Sequence, residues 1–136
     1  MHKALVADTT SVLQFVLERI LAKEGFEIFY VRHVRDLLVQ IKMVLPDLLF
    51  LDAELHQGRG RHICEFLNKR PETRHLPIIL TTRIPDPDRH DMANWPGVHG
   101  VLRKPLSSAK VKELVNSIDF GTTADLIELF RESDVV

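Results

Sequence analysis

Five short apolar runs recur along the chain, separated by longer stretches in which apolar residues return with a helical period. The runs cover residues 4–7, 27–31, 48–51, 78–80 and 98–102. Most of them are continuous rather than alternating, which is typical of strands that are covered on both faces in a parallel sheet. The pattern therefore predicts five buried β-strands.

The stretches between the runs are predicted to be helices, because their apolar residues fall on one stripe. The stripes are formed by Leu13, Val16 and Ile20, by Leu37, Ile41 and Val44, by Ile63, Phe66 and Leu67, and by Val111, Leu114 and Val115. Thr10 or Ser11 can cap the first helix, and Ser107 or Ser108 can cap the last. Three prolines interrupt residues 83–97, so we expect any helix there to be short, near 88–94.

Alternating strands and helices predict an α/β fold, a doubly wound five-stranded parallel sheet between two layers of helices. Beyond residue 121, Thr122 and Asp125 form a variant of the capping box, and an apolar stripe follows. We therefore expect a domain at residues 1–120 and a C-terminal helical extension at 121–136. That helix can pack on its own domain, form a dimer contact or lead into a connector.

Composition narrows the class of protein. The chain has 136 residues, a net charge of −1 and a single cysteine. The balanced charge argues against a dedicated nucleic-acid binder, and one cysteine excludes an intrachain disulfide framework or a multi-cysteine metal site. The chain shows neither a signal peptide nor an apolar run long enough to span a membrane. We expect a cytoplasmic domain that contacts neither nucleic acid nor membrane.

Polar residues end four of the predicted strands. They are Asp8, Asp52, Thr82 and Lys104. In a sheet with strand order 2-1-3-4-5, the first and third strands are neighbours at the switch point, where sites form in open α/β sheets. Two carboxylates, a hydroxyl and an ammonium group suit Mg²⁺ binding and phosphoryl chemistry. In this interpretation Asp52 is the nucleophile, while Lys104 and Thr82 stabilise phosphoryl oxygens.

The sequence resembles the receiver domain of two-component response regulators. The resemblance rests on LVADTTSVLQFVLERILAKEGF, PDLLFLDAELHQGRG, LPIILTT and GVLRKPL. It implies a flavodoxin-like (βα)₅ fold and transfer of phosphate from a phosphohistidine in a sensor histidine kinase or phosphotransfer protein onto Asp52. It also implies that Thr82 is the switch hydroxyl and Lys104 the phosphate-contacting lysine.

The resemblance assigns three further positions. It implies a cis peptide bond before Pro105, a metal ligand in the backbone carbonyl of Glu54, and a loop glycine at Gly60. With Asp8 and Asp52, the Glu54 carbonyl would complete the protein ligands of Mg²⁺.

Three residues depart from the family pattern. Thr9 stands where the family has a second acid, so we expect weakened Mg²⁺ binding. Arg83 replaces a small residue, and its guanidinium can pair with Asp52 or point to solvent. Val101 replaces the aromatic residue on the fifth strand, so the usual coupling between hydroxyl and ring is absent.

Three functions follow from these observations. The first is a phosphorylatable receiver that signals to a downstream protein target or effector domain, with homodimerisation an option, and that is not an enzyme in the ordinary sense. The second is a pseudo-receiver that docks without phosphate chemistry. The third and weakest is a flavodoxin-like cofactor-binding protein, for which residues 9–11 could cradle a phosphate but lack the usual glycine.

Overall fold

The computed structural model describes residues 1–120, apart from the side chains of residues 88 and 89. Its centre is a five-stranded parallel sheet with strand order β2-β1-β3-β4-β5. The strands are β1 (His2–Ala7), β2 (Phe26–Val31), β3 (Leu48–Asp52), β4 (Ile78–Thr82) and β5 (Val98–Arg103). The predicted five-stranded, doubly wound sheet and its strand order are confirmed. Each apolar run lies within one strand; the runs of β1, β3 and β4 are buried, whereas those of the two edge strands, β2 and β5, are mostly only partly buried.

Helices cover both faces of this sheet. They are α1 (Ser11–Ala22), α2 (Val34–Val44), α3 (Leu55–Gly58), α4 (Gly60–Lys69) and α5 (Ser108–Asn116). Apolar residues of α1 and α5 share a buried core with one face of the sheet, and those of α2 and α4 share a core with the other. The two apolar layers fix the sheet from both sides, so polar strand ends are positioned by a rigid core.

The connection from β4 to β5 differs from the prediction of a short helix near residues 88–94. Two 3₁₀ turns, Pro87–His90 and Met92–Asn94, take its place. Asp91 between them adopts a left-handed conformation with a φ of 55°. Three prolines and this reversal prevent a continuous run of α-helical hydrogen bonds. The fold therefore lacks a regular helix at this position of the described chain.

The two predicted helix caps have different outcomes. The Ser107 side chain accepts a hydrogen bond from the Lys110 amide at 3.4 Å, as a cap should. Thr10 occupies the cap position of α1 but makes no side-chain cap hydrogen bond, and its hydroxyl donates to the Asp8 carboxylate at 2.8 Å. The Thr10 side chain is therefore oriented by the Asp8 carboxylate, and its oxygen accepts no hydrogen bond from an amide of α1.

The loop after β3 has an unusual backbone conformation. His56 and Gln57 in α3 have positive φ angles of 54° and 60°. Gly60 begins α4, and a Cβ atom there would collide with the backbone of Ala53. A glycine is needed here because two backbone segments approach each other, not because of a left-handed φ.

The predicted C-terminal helix at 121–136 lies outside the described residues. The last described residue, Phe120, stacks against the rings of His2 and Phe26, with centroids 4.8 and 5.7 Å away. None of the helices in residues 1–120 has the length and apolar character needed to cross a membrane.

Candidate functional site

The polar ends of three strands meet at one edge of the sheet. Asp8 follows β1 and Asp52 ends the neighbouring β3, and both residues are buried, with exposures of 0% and 8%. The ammonium group of Lys104, just after β5, lies 2.9 Å from Asp8 Oδ2 and 3.4 Å from Asp52 Oδ2. The structure therefore brings together three of the four residues singled out at the strand ends, and one cation bridges the two carboxylates.

Asp8 is fully engaged within this cluster. Its Oδ1 accepts hydrogen bonds from both the backbone amide and the hydroxyl of Thr10, each at 2.8 Å. Its Oδ2 accepts from Lys104. A carboxylate with no exposed surface needs such partners to remain stable as an anion. Asp8 therefore fixes the position of Lys104.

Asp52 is held less tightly. Its Oδ1 accepts from the Glu54 amide at 2.9 Å, and its Oδ2 faces Lys104. Burial raises the pKa of Asp52, while the Glu54 amide and the Lys104 charge oppose that rise. The carboxylate also lines a cleft of about 480 Å³ with Thr9, Glu54 and Arg83. Of the two buried acids, Asp52 is the one that opens onto the cleft.

Thr82 is buried at the end of β4, but its hydroxyl bonds to a residue other than Asp52. It donates to Glu54 Oε2 at 2.9 Å and accepts from the Ile84 amide at 3.1 Å. The second oxygen of the same carboxylate, Glu54 Oε1, accepts from the Arg83 amide at 2.7 Å. The Glu54 side chain therefore bridges β3 and β4 at the edge of the site.

Sequence reasoning gave Glu54 only a backbone role and did not find this bridge. The signal present in the sequence is an acid two residues beyond the end of β3. The adjacent β4 ends in two threonines, and the neighbouring threonine, Thr81, is also buried and is paired in register with Asp52. Its hydroxyl has no hydrogen-bond partner among the described residues.

The remaining candidate residues surround the site. Thr9 is exposed and lines the cleft with Asp52. Arg83 is exposed, and within residues 1–120 no salt bridge or hydrogen bond joins its guanidinium to Asp52. Val101 is partly buried against the core beneath α2 and α4. The peptide bond between Lys104 and Pro105 is cis, as predicted.

The donor groups at this edge fit Mg²⁺, with few ligands from the protein. Two carboxylates, Asp8 and Asp52, lie close enough to share one ammonium group, and the backbone carbonyl of Glu54 follows in the same loop. Mg²⁺ accepts such a set because it keeps several water ligands. Thr9 adds no charge, and no cluster of three acidic, histidine or cysteine side chains that could hold a metal occurs in the described part of the chain. These residues would therefore leave several positions around a bound Mg²⁺ to water.

The arrangement of a buried acidic pair, a lysine and a threonine on a 2-1-3-4-5 sheet defines a class of signalling domain. The family model described as the response regulator receiver domain matches residues 4–116. The chain belongs to this family. Receiver domains are signalling modules that interact with histidine kinases or phosphotransfer proteins and with effectors, and they typically bind Mg²⁺ at the acidic pocket.

Individual relatives agree with this assignment. The phosphate regulon transcriptional regulatory protein PhoB of Rhizobium meliloti is 29% identical over 116 residues, which are 85% of this chain and 51% of PhoB. The polar-differentiation response regulator DivK of Brucella anthropi is 25% identical over 93 residues, covering 68% of this chain and 76% of DivK. The chain thus spans about half the length of PhoB.

Solved structures share the fold. The chemotaxis response regulator CheY4 of Vibrio cholerae superposes with a TM-score of 0.75 at 18% identity, over 85% of this chain and 97% of CheY4. The signal receiver domain of a signal transduction histidine kinase from Syntrophus aciditrophicus gives a TM-score of 0.72 at 23% identity, over 90% and 96% of the two chains. These likenesses establish the flavodoxin-like architecture.

Proposed function

We propose that Asp52 accepts a phosphoryl group from a phosphohistidine of a sensor histidine kinase or phosphotransfer protein. The observation that carries this proposal is the Lys104 ammonium group, which lies between the buried Asp8 and Asp52 at the carboxyl edge of the sheet. Structural cores rarely keep two carboxylates and a lysine buried together without a use for them. Asp52 is also the member of this cluster that lines the cleft.

The reaction is an in-line transfer between two nucleophiles. A carboxylate oxygen of Asp52 attacks the phosphorus atom, the bond between phosphorus and the donor imidazole breaks, and an acyl phosphate forms. Lys104 and Thr82 would contact phosphoryl oxygens, and Asp8 holds Lys104 in place through the 2.9 Å ion pair. Mg²⁺, held by Asp8, Asp52 and the Glu54 carbonyl, would supply further positive charge to these oxygens when bound.

The surface beside the site suits a protein donor. Val12 and Phe15 on α1 are exposed by 76% and 62%. A cleft of about 440 Å³ runs from α1 to the loop after β5 and is lined by Val12, Lys104 and Pro105, among others. An apolar surface next to the reacting group lets a donor protein dock while its phosphohistidine reaches Asp52. The signal would then pass through protein contacts to a downstream target or effector domain.

Phe15 and Phe66 provide a matched pair for testing this surface. Phe66 is 47% exposed on α4, on the opposite face of the sheet. With a phosphorylated histidine-phosphotransfer domain as donor, Phe15→Ala should slow labelling, while Phe66→Ala should not. With acetyl phosphate, which needs no docking surface, both variants should label like the wild type. Equal rates for the two variants with the protein donor would place the docking surface elsewhere.

Phosphorylation itself is tested by incubation with acetyl phosphate and Mg²⁺, followed by intact mass. The wild type should gain the mass of one phosphoryl group, and Asp52→Asn should gain none. Chelation of the metal should slow the reaction. A wild type that stays unmodified while a known receiver domain labels in the same tube would contradict the proposal.

A second candidate function is a pseudo-receiver that docks without phosphate chemistry. It is favoured by the Glu54 carboxylate, which already holds the hydroxyl of Thr82, and by the neutral Thr9 in place of an acid. Arg83 and Val101 are the other sequence features that favour this alternative, but the Arg83 side chain makes no hydrogen bond or salt bridge to Asp52 in the described residues. Stoichiometric labelling of the wild type would exclude the pseudo-receiver, and labelling of Arg83→Ala alone would revive it.

A further inference from the structure

The Glu54 carboxylate occupies two hydrogen-bond donors at the edge of the candidate site. Its Oε2 accepts from the Thr82 hydroxyl at 2.9 Å, and its Oε1 accepts from the Arg83 amide at 2.7 Å. The Arg83 bond is short, as is typical of a charge-assisted hydrogen bond to a carboxylate, and the Thr82 bond has the length of an ordinary hydrogen bond. Two neighbouring donors on one strand end are therefore satisfied by an anion that the chain itself supplies.

A phosphoryl group on Asp52 would need the same kind of donor. It carries up to two negative charges and three acceptor oxygens, which require hydroxyl, amide or ammonium donors nearby. Lys104 already contacts Asp52, and Glu54 lies two residues beyond Asp52 in the chain, just after β3. The Thr82 hydroxyl cannot donate its single proton to Glu54 and to a phosphoryl oxygen at once.

The negative charge of Glu54 opposes phosphorylation of Asp52, as its hydrogen bonds to the two donors do. Glu54 lines the same cleft of about 480 Å³ as Asp52, so an anionic phosphodonor approaches both carboxylates. Removing the Glu54 charge therefore makes approach of an anion easier as well as releasing the donors.

We propose that Glu54 is a positioning residue that acts as a resident anion, holding Thr82 and the Arg83 amide until a phosphoryl group on Asp52 displaces it. This inference rests on the proposed phosphoacceptor function. Glu54 is half-buried and borders the open cleft, so its side chain has space to turn away. The displacement would couple the state of Asp52 to the position of Thr82 without an aromatic ring at Val101.

Three variants test the proposal. Glu54→Gln keeps the length of the side chain but removes its charge, and Glu54→Ala removes the contact altogether. Glu65→Gln removes one negative charge from α4, where Glu65 pairs with Arg61 on the surface. Urea unfolding checks that all three variants are folded at the temperature of the assay.

The first readout is the rate of labelling by acetyl phosphate with Mg²⁺. Glu54→Gln and Glu54→Ala should label faster than the wild type, on the order of tenfold, since a lost charge-assisted hydrogen bond is comparable to one factor of ten. Glu65→Gln should label at the wild-type rate. The Asp52→Asn change should abolish labelling in the Glu54 variants too, which confines the effect to the same acceptor.

The second readout is the chemical shift of the Arg83 amide proton in NMR spectra. If Glu54 only supported the local fold, this shift would not respond to labelling of Asp52. In the unlabelled wild type it should lie downfield because of the short bond to Glu54, and it should move upfield in Glu54→Ala. On labelling of Glu54→Ala it should move downfield again, when the phosphoryl group takes the donor.

The outcomes separate the inference from the proposed function. Faster labelling of the Glu54 variants than of a wild type that itself labels supports both, whereas labelling of the variants alone would contradict both the displacement of Glu54 and the phosphorylation of the wild type. Equal labelling of wild type and both Glu54 variants overturns the inference and leaves the phosphoacceptor function standing. No labelling of any protein contradicts both, even if the Arg83 amide shift shows that the contact exists.

Discussion

Replacing Lys104 with methionine removes the ammonium group that lies between Asp8 and Asp52, while keeping most of the side-chain volume. The cost depends on how well water can replace the lost partner. Removing one partner of an exposed ion pair costs about 0–1 kcal/mol, whereas removing one partner of a buried pair costs about 3–5 kcal/mol. The side chains of Lys104, Asp8 and Asp52 are exposed by only 12%, 0% and 11%, which places this cluster in the buried class.

Protonation sets an upper limit on that cost. Instead of staying charged, one carboxyl can take up a proton, which costs about 4 kcal/mol at pH 7 for an ordinary aspartate. We therefore expect Lys104→Met to lower the free energy of unfolding by about 3–4 kcal/mol at pH 7. In the variant the folded-state pKa of that carboxyl is raised, so the deficit is largest at high pH. It should shrink by up to about 1.4 kcal/mol per unit as the pH falls towards 5.

Urea unfolding followed by circular dichroism measures this change, with Lys110→Met on the exposed start of α5 as the matched control. The control should change stability by less than about 0.5 kcal/mol. Mg²⁺ should restore part of the loss in Lys104→Met, because it binds the same carboxylates in the folded state only. Asp8→Asn should also recover stability when combined with Lys104→Met. A loss below about 1 kcal/mol at pH 7 would show that the carboxylates are solvated and would refute this reasoning.

Three further predictions each concern one residue: Thr9, Cys64 or Tyr30. Thr9→Asp should raise Mg²⁺ affinity in a calorimetric titration and lower the stability of the metal-free protein, because it adds a charge to a cleft that Asp52 already lines; an unchanged affinity would show that the first loop does not face the metal. Burial raises the pKa of Cys64 to about 12, so a thiol reagent should modify this single cysteine only after unfolding, and fast reaction of the native protein would contradict its burial. Burial and the hydrogen bond to Glu18 raise the pKa of Tyr30 to about 12, so its phenolate absorbance should appear well above the usual pH. Glu18→Gln should lower that value, and no change would show that the contact is absent.

The sheet could be predicted from the sequence because its strands are continuous apolar runs, whose burial on both faces leaves a strong local pattern. The polar residues at the strand ends could be placed near one another for the same reason, since parallel strands end at a common edge. The connection between β4 and β5 could not be predicted in detail. Its turns depend on a left-handed Asp91 between prolines, and although aspartate tolerates that conformation, its presence in a sequence does not specify it.

The hydrogen bonds of the site depended on contacts that sequence spacing does not reveal. Thr10 stands at the start of a helix and was predicted to cap it, yet its hydroxyl donates to the buried carboxylate of Asp8, two residues earlier. Glu54 and Thr82 are 28 residues apart, and their contact exists only because β3 and β4 are neighbours. The sequence suggested that Arg83 would contact the site through its guanidinium. In the structure its backbone amide makes the contact instead, by donating to Glu54. Element patterns are local, whereas side-chain partners at a strand edge are set by the tertiary fold.

Whether Asp52 is the phosphoacceptor is decided by locating the modified residue in the wild-type protein. The protein is incubated with acetyl phosphate and Mg²⁺, digested under mild conditions and mapped by tandem mass spectrometry. We expect a single phosphoryl group on the peptide that contains Asp52, at a stoichiometry that rises with time. A phosphoryl group found on another residue, or none under conditions that label another receiver domain, would contradict this expectation.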